Sequence, residues 1–143
     1  MRFMMLVKAS KESEAGVMPT EKLLAAMAKY NEELVKAGVM LDGSGLQPSA
    51  KGVRVTFSGA KPKVTDGPFT ETKELVAGYW LIQVKSKAEA IEWAKRVPFG
   101  PDVNPGGGEI EIRQLFELED FAPSDAVEMH REVGKQLAQN KKK

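Results

Sequence analysis

Apolar residues recur along this chain with two spacings, and the spacings predict alternating strands and helices. Alternation of apolar and polar residues is typical of a strand, and recurrence every three to four residues is typical of a helix. The predicted strands span residues 2–8, 39–46, 52–58, 61–65, 76–84 and 109–118. The predicted helices span residues 21–37, 87–97 and 124–139, and residues 9–18 are predicted as a polar loop.

The ends of the first two helices carry their own signals. Thr20 and Ser86 precede them, and side chains of this type accept hydrogen bonds from the first turn of a helix. Glu89 completes a capping box with Ser86. Gly38 follows the first helix, at a position where left-handed backbone is common. These signals support the assignment of both helices.

Two of the predicted strands are apolar on both of their alternating faces. In residues 2–8 and 76–84, one face carries Phe3, Met5, Val7, Trp80, Ile82 and Val84, and the other carries Met4, Leu6, Tyr79 and Leu81. A strand that is apolar on both faces is usually covered on both. Two helices are enough for only one face of the sheet, so we expect a second copy of the chain to cover the other.

The order of elements predicts the fold class. A strand–helix–strand unit, a hairpin and a second strand–helix–strand unit indicate an α+β fold of the ferredoxin-like split βαβ type, with the hairpin inserted. In the hairpin, Val53, Val55 and Phe57 are expected to point inward. We expect this domain to span residues 1–119. Residues 120–143 are expected to form a tail whose helix has a thin apolar stripe and lies on the surface or docks a partner.

Composition narrows the range of function classes. A chain of 143 residues with a net charge of +1 is typical of one globular domain and suggests neither a nucleic-acid nor a membrane partner. There is no cysteine, which excludes disulfides, thiol nucleophiles and thiolate metal sites. No apolar run approaches the length of a membrane span. We therefore expect a cytoplasmic protein.

The stretch from Thr65 to Glu71 has the strongest local signal. Asp66 can fold its carboxylate onto the backbone as an Asx-turn, Gly67 can adopt a positive φ, and Pro68 is rigid. Phe69 then places an aromatic ring directly after the turn. This predicts a stiff loop with an acid at its entrance and an aromatic anchor at its exit.

Several segments together resemble the YCII-related proteins, in particular the branch with a DGPF motif. The resemblance covers about residues 1–118 and rests on Val64 to Glu74, Gly78-Tyr79, Glu89 to Ala94 and Ile110 to Arg113, with Met4 to Leu6 and Ala37-Gly38 also fitting. It implies a dimeric α+β barrel, in which two ferredoxin-like units close their sheets on each other as a homodimer.

The resemblance does not transfer a reaction. Smaller YCII proteins have a proposed His–Asp pair with the histidine on the first helix. This chain has no histidine there, since the equivalent turn lies near Met27 and the only histidine is His130 in the tail. A His–Asp assignment therefore cannot be carried over.

Five residues are candidates for chemistry. Asp66 is the candidate catalytic acid or base, against the alternative that it only satisfies the turn. Tyr79, Glu111, Arg113 and Arg54 are candidate substrate-binding residues, against the alternatives of core packing, a structural ion pair and surface exposure. The chain has no catalytic triad, phosphate loop or metal-ligand cluster, and we expect no metal and no cofactor.

These observations leave three functions open. The leading hypothesis is a dimer that binds a small organic molecule in a cleft, as a cofactor-free enzyme of unassigned reaction. The second is a ligand-binding or regulatory module without turnover. The third is a protein-interaction module that uses the tail helix for docking. The sequence does not decide whether the protein is an enzyme.

Overall fold

The computed structural model describes residues 1–142 and contains six strands and four helices. The strands are β1 (Arg2–Lys8), β2 (Met40–Gly45), β3 (Val53–Phe57), β4 (Pro62–Asp66), β5 (Val76–Gln83) and β6 (Ile110–Gln114). The helices are α1 (Lys11–Glu14), α2 (Glu21–Lys36), α3 (Lys87–Lys95) and α4 (Asp125–Lys141), and short 3₁₀ turns lie at Ser49–Lys51, Thr72–Glu74 and Leu118–Asp120. None of these helices is long and apolar enough to cross a lipid bilayer.

Four strands form one antiparallel sheet in the order β2-β5-β1-β6, and β3 pairs with β4 in a separate two-stranded sheet. Helix α2 connects β1 to β2, and α3 connects β5 to β6. This is the split βαβ arrangement with an inserted hairpin, so the predicted ferredoxin-like α+β fold is confirmed.

The predicted starts of α2 and α3 are confirmed, and their capping residues contact the first turn; α3 ends at Lys95, two residues earlier than predicted. Thr20 accepts a hydrogen bond from the amide of Leu23 at 3.1 Å, and Ser86 accepts one from the amide of Glu89 at 3.2 Å. Gly38 follows α2 with a φ of 70°. In a capping box, the Glu89 carboxylate would accept a hydrogen bond from the amide of Ser86. It accepts instead from the amide of Lys85, one residue earlier, at 2.9 Å.

The core lies between one face of the four-stranded sheet and helices α2 and α3. Its buried members are Phe3, Met5, Tyr30, Leu34, Val39, Trp80, Ile82, Val84, Ala90 and Val97. The Tyr30 ring meets the Trp80 ring edge-on, with centroids 5.3 Å apart. The Tyr30 hydroxyl donates to the carbonyl of Trp93 at 2.7 Å, and the Trp80 indole donates to Asn31 at 2.7 Å. The polar atoms of these aromatic residues are therefore satisfied.

Two sequence-based expectations about local structure are wrong. Residues 9–18 contain the short helix α1, where Ser10 and Ser13 form a reciprocal capping box. Val53, Val55 and Phe57 share one face of the hairpin as expected, but that face is exposed rather than inward. The alternation predicted correctly which side chains share a face. The expected burial of that face is wrong because the hairpin forms a separate sheet that does not pack on the core.

Candidate functional site

The helix-free face of the four-stranded sheet carries an apolar strip along its two central strands. The strip consists of Met4, Leu6, Ala77, Tyr79 and Leu81, all of them half-buried. In the register of the sheet, Leu6 stands between Tyr79 on β5 and Glu111 on β6. Leu6 thus separates Tyr79 from Glu111 by two interstrand spacings, roughly 10 Å.

On the β2 side of the strip, Tyr79 is hydrogen-bonded to Asp42. The Tyr79 hydroxyl donates to Asp42 Oδ2 at 3.2 Å, and the amide of Gly43 donates to Asp42 Oδ1 at 2.8 Å. A register shift between Met40 and Asp42 places Asp42 opposite Leu81. Sequence reasoning missed Asp42 as a site residue; the available signal was Gly43 and Gly45, because glycine within a strand often marks a bulge or a close backbone approach.

On the β6 side of the strip, Glu111 lies between two cations. Arg113 Nη1 is 3.4 Å from Glu111 Oε2, and Lys8 Nζ is 3.9 Å from Glu111 Oε1. The Lys8 side chain is only 13% exposed and also donates to the carbonyl of Glu74 at 3.4 Å. The Arg113 side chain is 72% exposed, so most of its five N–H donors face solvent. This edge therefore has one positive charge more than its carboxylate neutralises.

A cavity lined mainly by residues of polar and charged types lies beside this edge. It has a volume of about 600 Å³ and is lined by Ala9, Ser10, Lys11 and the run from Thr70 to Glu74. Because Lys8 binds the carbonyl of Glu74, this lysine links the cavity wall to the carboxylate of Glu111. Thr70 and Glu71, at the end of the loop with the strongest sequence signal, form part of the cavity lining.

That loop is anchored to the chain on both sides. The amide of Gly67 donates to the carbonyl of Gly52 at 2.9 Å, and the amide of Phe69 donates to the Ser49 hydroxyl at 3.0 Å. The Ser49 amide and hydroxyl both donate to the carboxylate of Glu14, the amide at 3.1 Å. The Gly67–Pro68 peptide bond is cis. Sequence reasoning missed Glu14 and Ser49, which precede the loop by many residues and contact it only after folding.

Asp66 and Arg54 lie on the hairpin. Asp66 is the last residue of β4, and it is exposed. Its carboxylate takes part in none of the hydrogen bonds that hold the loop among residues 1–142. The predicted Asx-turn is therefore absent. Arg54 places its guanidinium 3.8 Å from the centre of the half-buried Phe69 ring, a cation–π contact.

The structure thus separates the five candidate residues into two groups. Tyr79, Glu111 and Arg113 share the helix-free face of the large sheet, whereas Asp66 and Arg54 belong to the separate hairpin. Among residues 1–142, no three histidine, aspartate or glutamate side chains come together as metal ligands would.

Comparison with known proteins identifies the family to which the chain belongs. The family model of the YCII-related domain matches residues 1–119. An uncharacterized protein of Rhizobium meliloti (strain 1021) is 35% identical over 106 residues, which cover 74% of this chain and 78% of that protein. The chain is therefore a member of the YCII-related family.

One solved structure is also similar. It is a 5-chloro-2-hydroxyhydroquinone dehydrochlorinase from Burkholderia phenoliruptrix AC1100, in complex with 2,5-dihydroxybenzoquinone. The TM-score is 0.45 and the sequence identity is 14%, over 82% of this chain and 95% of that one.

Proposed function

We propose that the helix-free sheet face binds a small organic anion, in a cleft that a second copy of the chain closes. The observation that carries this proposal is the apolar strip flanked by two sets of polar groups, Tyr79 with Asp42 on one side and Lys8, Glu111 and Arg113 on the other. Small-molecule sites are typically apolar surfaces with a few convergent polar groups. Within the family, we assign the chain to the branch with the DGPF motif, on residues 66–69.

The polar groups define the chemistry of the ligand. Arg113 and Lys8 favour a carboxylate or a similar anion, because together they exceed the charge of Glu111. Tyr79 and Asp42 favour a hydroxyl or carbonyl at the other end of the molecule, since the pair offers both a donor and an acceptor. The two ends would be separated by roughly 10 Å of apolar surface, two interstrand spacings. A hydroxylated aromatic or aliphatic acid meets these requirements.

The apolar strip supports a second copy as the other wall of the cleft, because no helix of the same chain covers the strip. Burying it against the same strip of a partner would exclude water and strengthen the polar contacts at its edges. The interface would be self-complementary about a twofold axis. We accordingly propose a homodimer as the ligand-binding unit.

A thermal-shift screen with matched compound pairs tests the proposal. Small hydroxy acids and their neutral amides are compared at equal concentration, because a ligand that binds only the native state raises the unfolding midpoint. We expect some acids to raise the midpoint and their amides not to do so. Arg113→Gln should abolish the shift, whereas Arg131→Gln, a surface arginine of α4, should retain it. A library without any acid-specific shift would refute the proposal.

Whether bound ligand is turned over is a separate question, and product analysis on the compounds that bind answers it. Tyr79 and Asp42 are of the residue types that transfer protons. A bound acid recovered unchanged would favour the regulatory alternative without turnover. The protein-interaction alternative is favoured by one observation, the exposed apolar stripe of α4.

A further inference from the structure

Two rows of residues cross the helix-free face from one edge of the sheet to the other, and both rows have polar ends. Residues directly opposite each other in antiparallel strands share a face. The strand register puts Asp42, Leu81, Met4 and Arg113 in one row, and Ser44, Tyr79, Leu6 and Glu111 in the next. The central two residues of each row belong to the apolar strip. The β2 edge thus ends in a carboxylate and a hydroxyl, and the β6 edge ends in a guanidinium and a carboxylate.

The first row carries unlike charges at its two ends. Asp42 is exposed, and its carboxylate accepts hydrogen bonds from the Tyr79 hydroxyl and the Gly43 amide, which are neutral donors. Those contacts do not cancel its negative charge. Arg113 contacts Glu111 through one nitrogen, at 3.4 Å, and its side chain is 72% exposed. Each of the two charges is therefore open to a partner of opposite sign.

We propose that two copies pack strip against strip about a twofold axis parallel to the strands, with β2 of each chain opposite β6 of the other. This inference rests on the homodimer proposed above and specifies its geometry. Rotation about such an axis reverses each row, so that the partner's Asp42 lies opposite Arg113, and the partner's Ser44 lies opposite Glu111. Complementary groups then meet at both edges of the interface.

A twofold axis that runs across the strands would pair the charges less well. It would put β2 opposite β2, so that the Asp42 carboxylates of both copies share one edge, away from the cations of the β6 edge. Arg113 would then meet the partner's Glu111, although Glu111 already has two cations near it in its own chain, Arg113 at 3.4 Å and Lys8 at 3.9 Å. The charges therefore favour the axis along the strands.

In this geometry, two chains build each ligand cleft. Within one chain, Asp42 and Arg113 are three interstrand spacings apart, roughly 14 Å. Facing sheets lie about 10 Å apart, so the partner's Asp42 is the nearer one. A small hydroxy acid then places its carboxylate at Arg113 of one copy and its hydroxyl at the partner's Tyr79 and the partner's Asp42. The dimer has two such clefts.

Charge reversal in full-length chains tests the geometry without any ligand. Asp42→Lys puts like charges opposite each other twice in a homodimer, and so does Arg113→Glu. Each variant alone should therefore associate at least about tenfold more weakly than the natural protein. When the two variants are mixed, a heterodimer has unlike charges at both edges. Native mass spectrometry, with a mass tag on one chain, should show this heterodimer in at least about tenfold excess over either homodimer.

Two further mixtures serve as controls. Glu32→Lys, at an exposed acid of α2, replaces Asp42→Lys in the first, and this mixture should lack the excess. The second mixes Arg113→Glu with Glu111→Lys, which restores unlike charges only if β6 lies opposite β6. An excess in the second mixture, or none with Asp42→Lys, would overturn the proposed orientation. A natural protein that is a monomer would instead refute the homodimer itself.

A chain that carries both Asp42→Lys and Arg113→Glu guards against a misfolded single variant. It restores unlike charges in its own homodimer, so it should associate about as tightly as the natural protein. Association as weak as that of the single variants would contradict the orientation.

The shared cleft has its own test, with the panel of small hydroxy acids described above. Neither single variant retains a natural cleft, whereas their heterodimer has one cleft with Arg113 from one chain and Asp42 from the other. Acids that raise the unfolding midpoint of the natural protein should therefore raise that of the mixture, and of neither variant alone. A mixture of heterodimers that does not respond to those acids would overturn the shared cleft. An absence of any shift in the natural protein would refute the proposed function instead.

Discussion

Gly67 lies directly against the backbone carbonyl of Ser49, so that a Cβ on Gly67 would stand 1.7 Å from that oxygen. The φ of Gly67 is not positive, which means that close approach, rather than left-handed backbone, requires glycine here. The neighbouring amide of Phe69 binds the Ser49 hydroxyl. The motif loop and the Ser49 turn are therefore packed backbone against backbone.

Gly67→Ala should destabilise the protein by about 3 kcal/mol or more, because the backbone must move to relieve the overlap. Urea unfolding measures the effect. Gly52→Ala is the matched control, since its Cβ would meet the same Ser49 carbonyl oxygen at an ordinary 3.5 Å. The control should cost less than about 1 kcal/mol. Similar losses in both variants would contradict the packing explanation.

Asp66→Asn should leave the unfolding free energy unchanged, because the exposed carboxylate makes no hydrogen bond in the loop. If Asp66 is a general base, turnover of a ligand found by the thermal-shift screen should fall about 100-fold or more. If Asp66 has no chemical role, binding and turnover should both persist. A loss of stability would show instead that the charge supports the hairpin.

Arg2 and Glu117 join the start of β1 to the segment that leads into the tail. Two contacts of 2.9 Å form a bidentate ion pair, and the hydrogen bond from Arg2 lowers the pKa of Glu117 below its ordinary value. Because the folded-state pKa is the lower one, the pair stabilises the protein above the ordinary pKa of glutamate and ceases to do so as the pH falls through the lowered value.

Stability should therefore decline between about pH 5 and pH 3 more steeply in the natural protein than in Glu117→Gln. Unfolding midpoints across this range measure the difference. Glu119→Gln serves as the control, since Glu119 is more exposed and lies 3.7 Å from Arg131. An identical acid profile for Glu117→Gln and the natural protein would refute the assignment. The effect should be small because both partners are partly exposed.

The homodimer can be tested by a charge placed in the apolar strip. Leu6→Glu should shift the natural protein from dimer to monomer at micromolar concentration in sedimentation, because it would bury two carboxylates in the proposed interface. Leu24→Glu, at an exposed position of α2, is the matched substitution and should leave the dimer intact. A natural protein that sediments as a monomer would contradict the proposal directly.

The tail can be tested by truncation. We infer that residues 120–143 are not required for the core, since α4 buries none of its residues. A chain ending at residue 119 should still unfold in one cooperative transition, because the buried core residues and the half-buried apolar residues packed against them all lie at or before Ile112. Loss of that transition would mean that the tail completes the folded unit.

Much of the fold could be predicted from the sequence, because its determinants are local. The Thr20 and Ser86 caps and the Gly38 terminator act within a few residues of their own position. The alternation in β1 and β5 specified which side chains share a face, and strand–helix order left few topologies open. Tyr79, Glu111 and Arg113 were assigned to strands whose register brings them onto one face.

The site could be predicted only in part, because its contacts join distant segments. Asp42 reaches Tyr79 through a bulge, and Lys8 reaches Glu111 through the pairing of β1 with β6. Periodicity specifies a residue's face but not its neighbour on the next strand.

The sequence by itself determined the six strands, the three longer helices, their order and the two-sided apolar strands, but not the short helix α1. Only the tertiary structure decided that the hairpin stands apart with Phe57 exposed, and that Gly67 must be glycine because of Ser49. The physical reason is the same in both cases. The propensity of a residue for helix or strand depends on its own backbone and its near neighbours in sequence. Its burial and its close backbone contacts depend on which distant segments pack against it, and these are set only when the whole chain has folded.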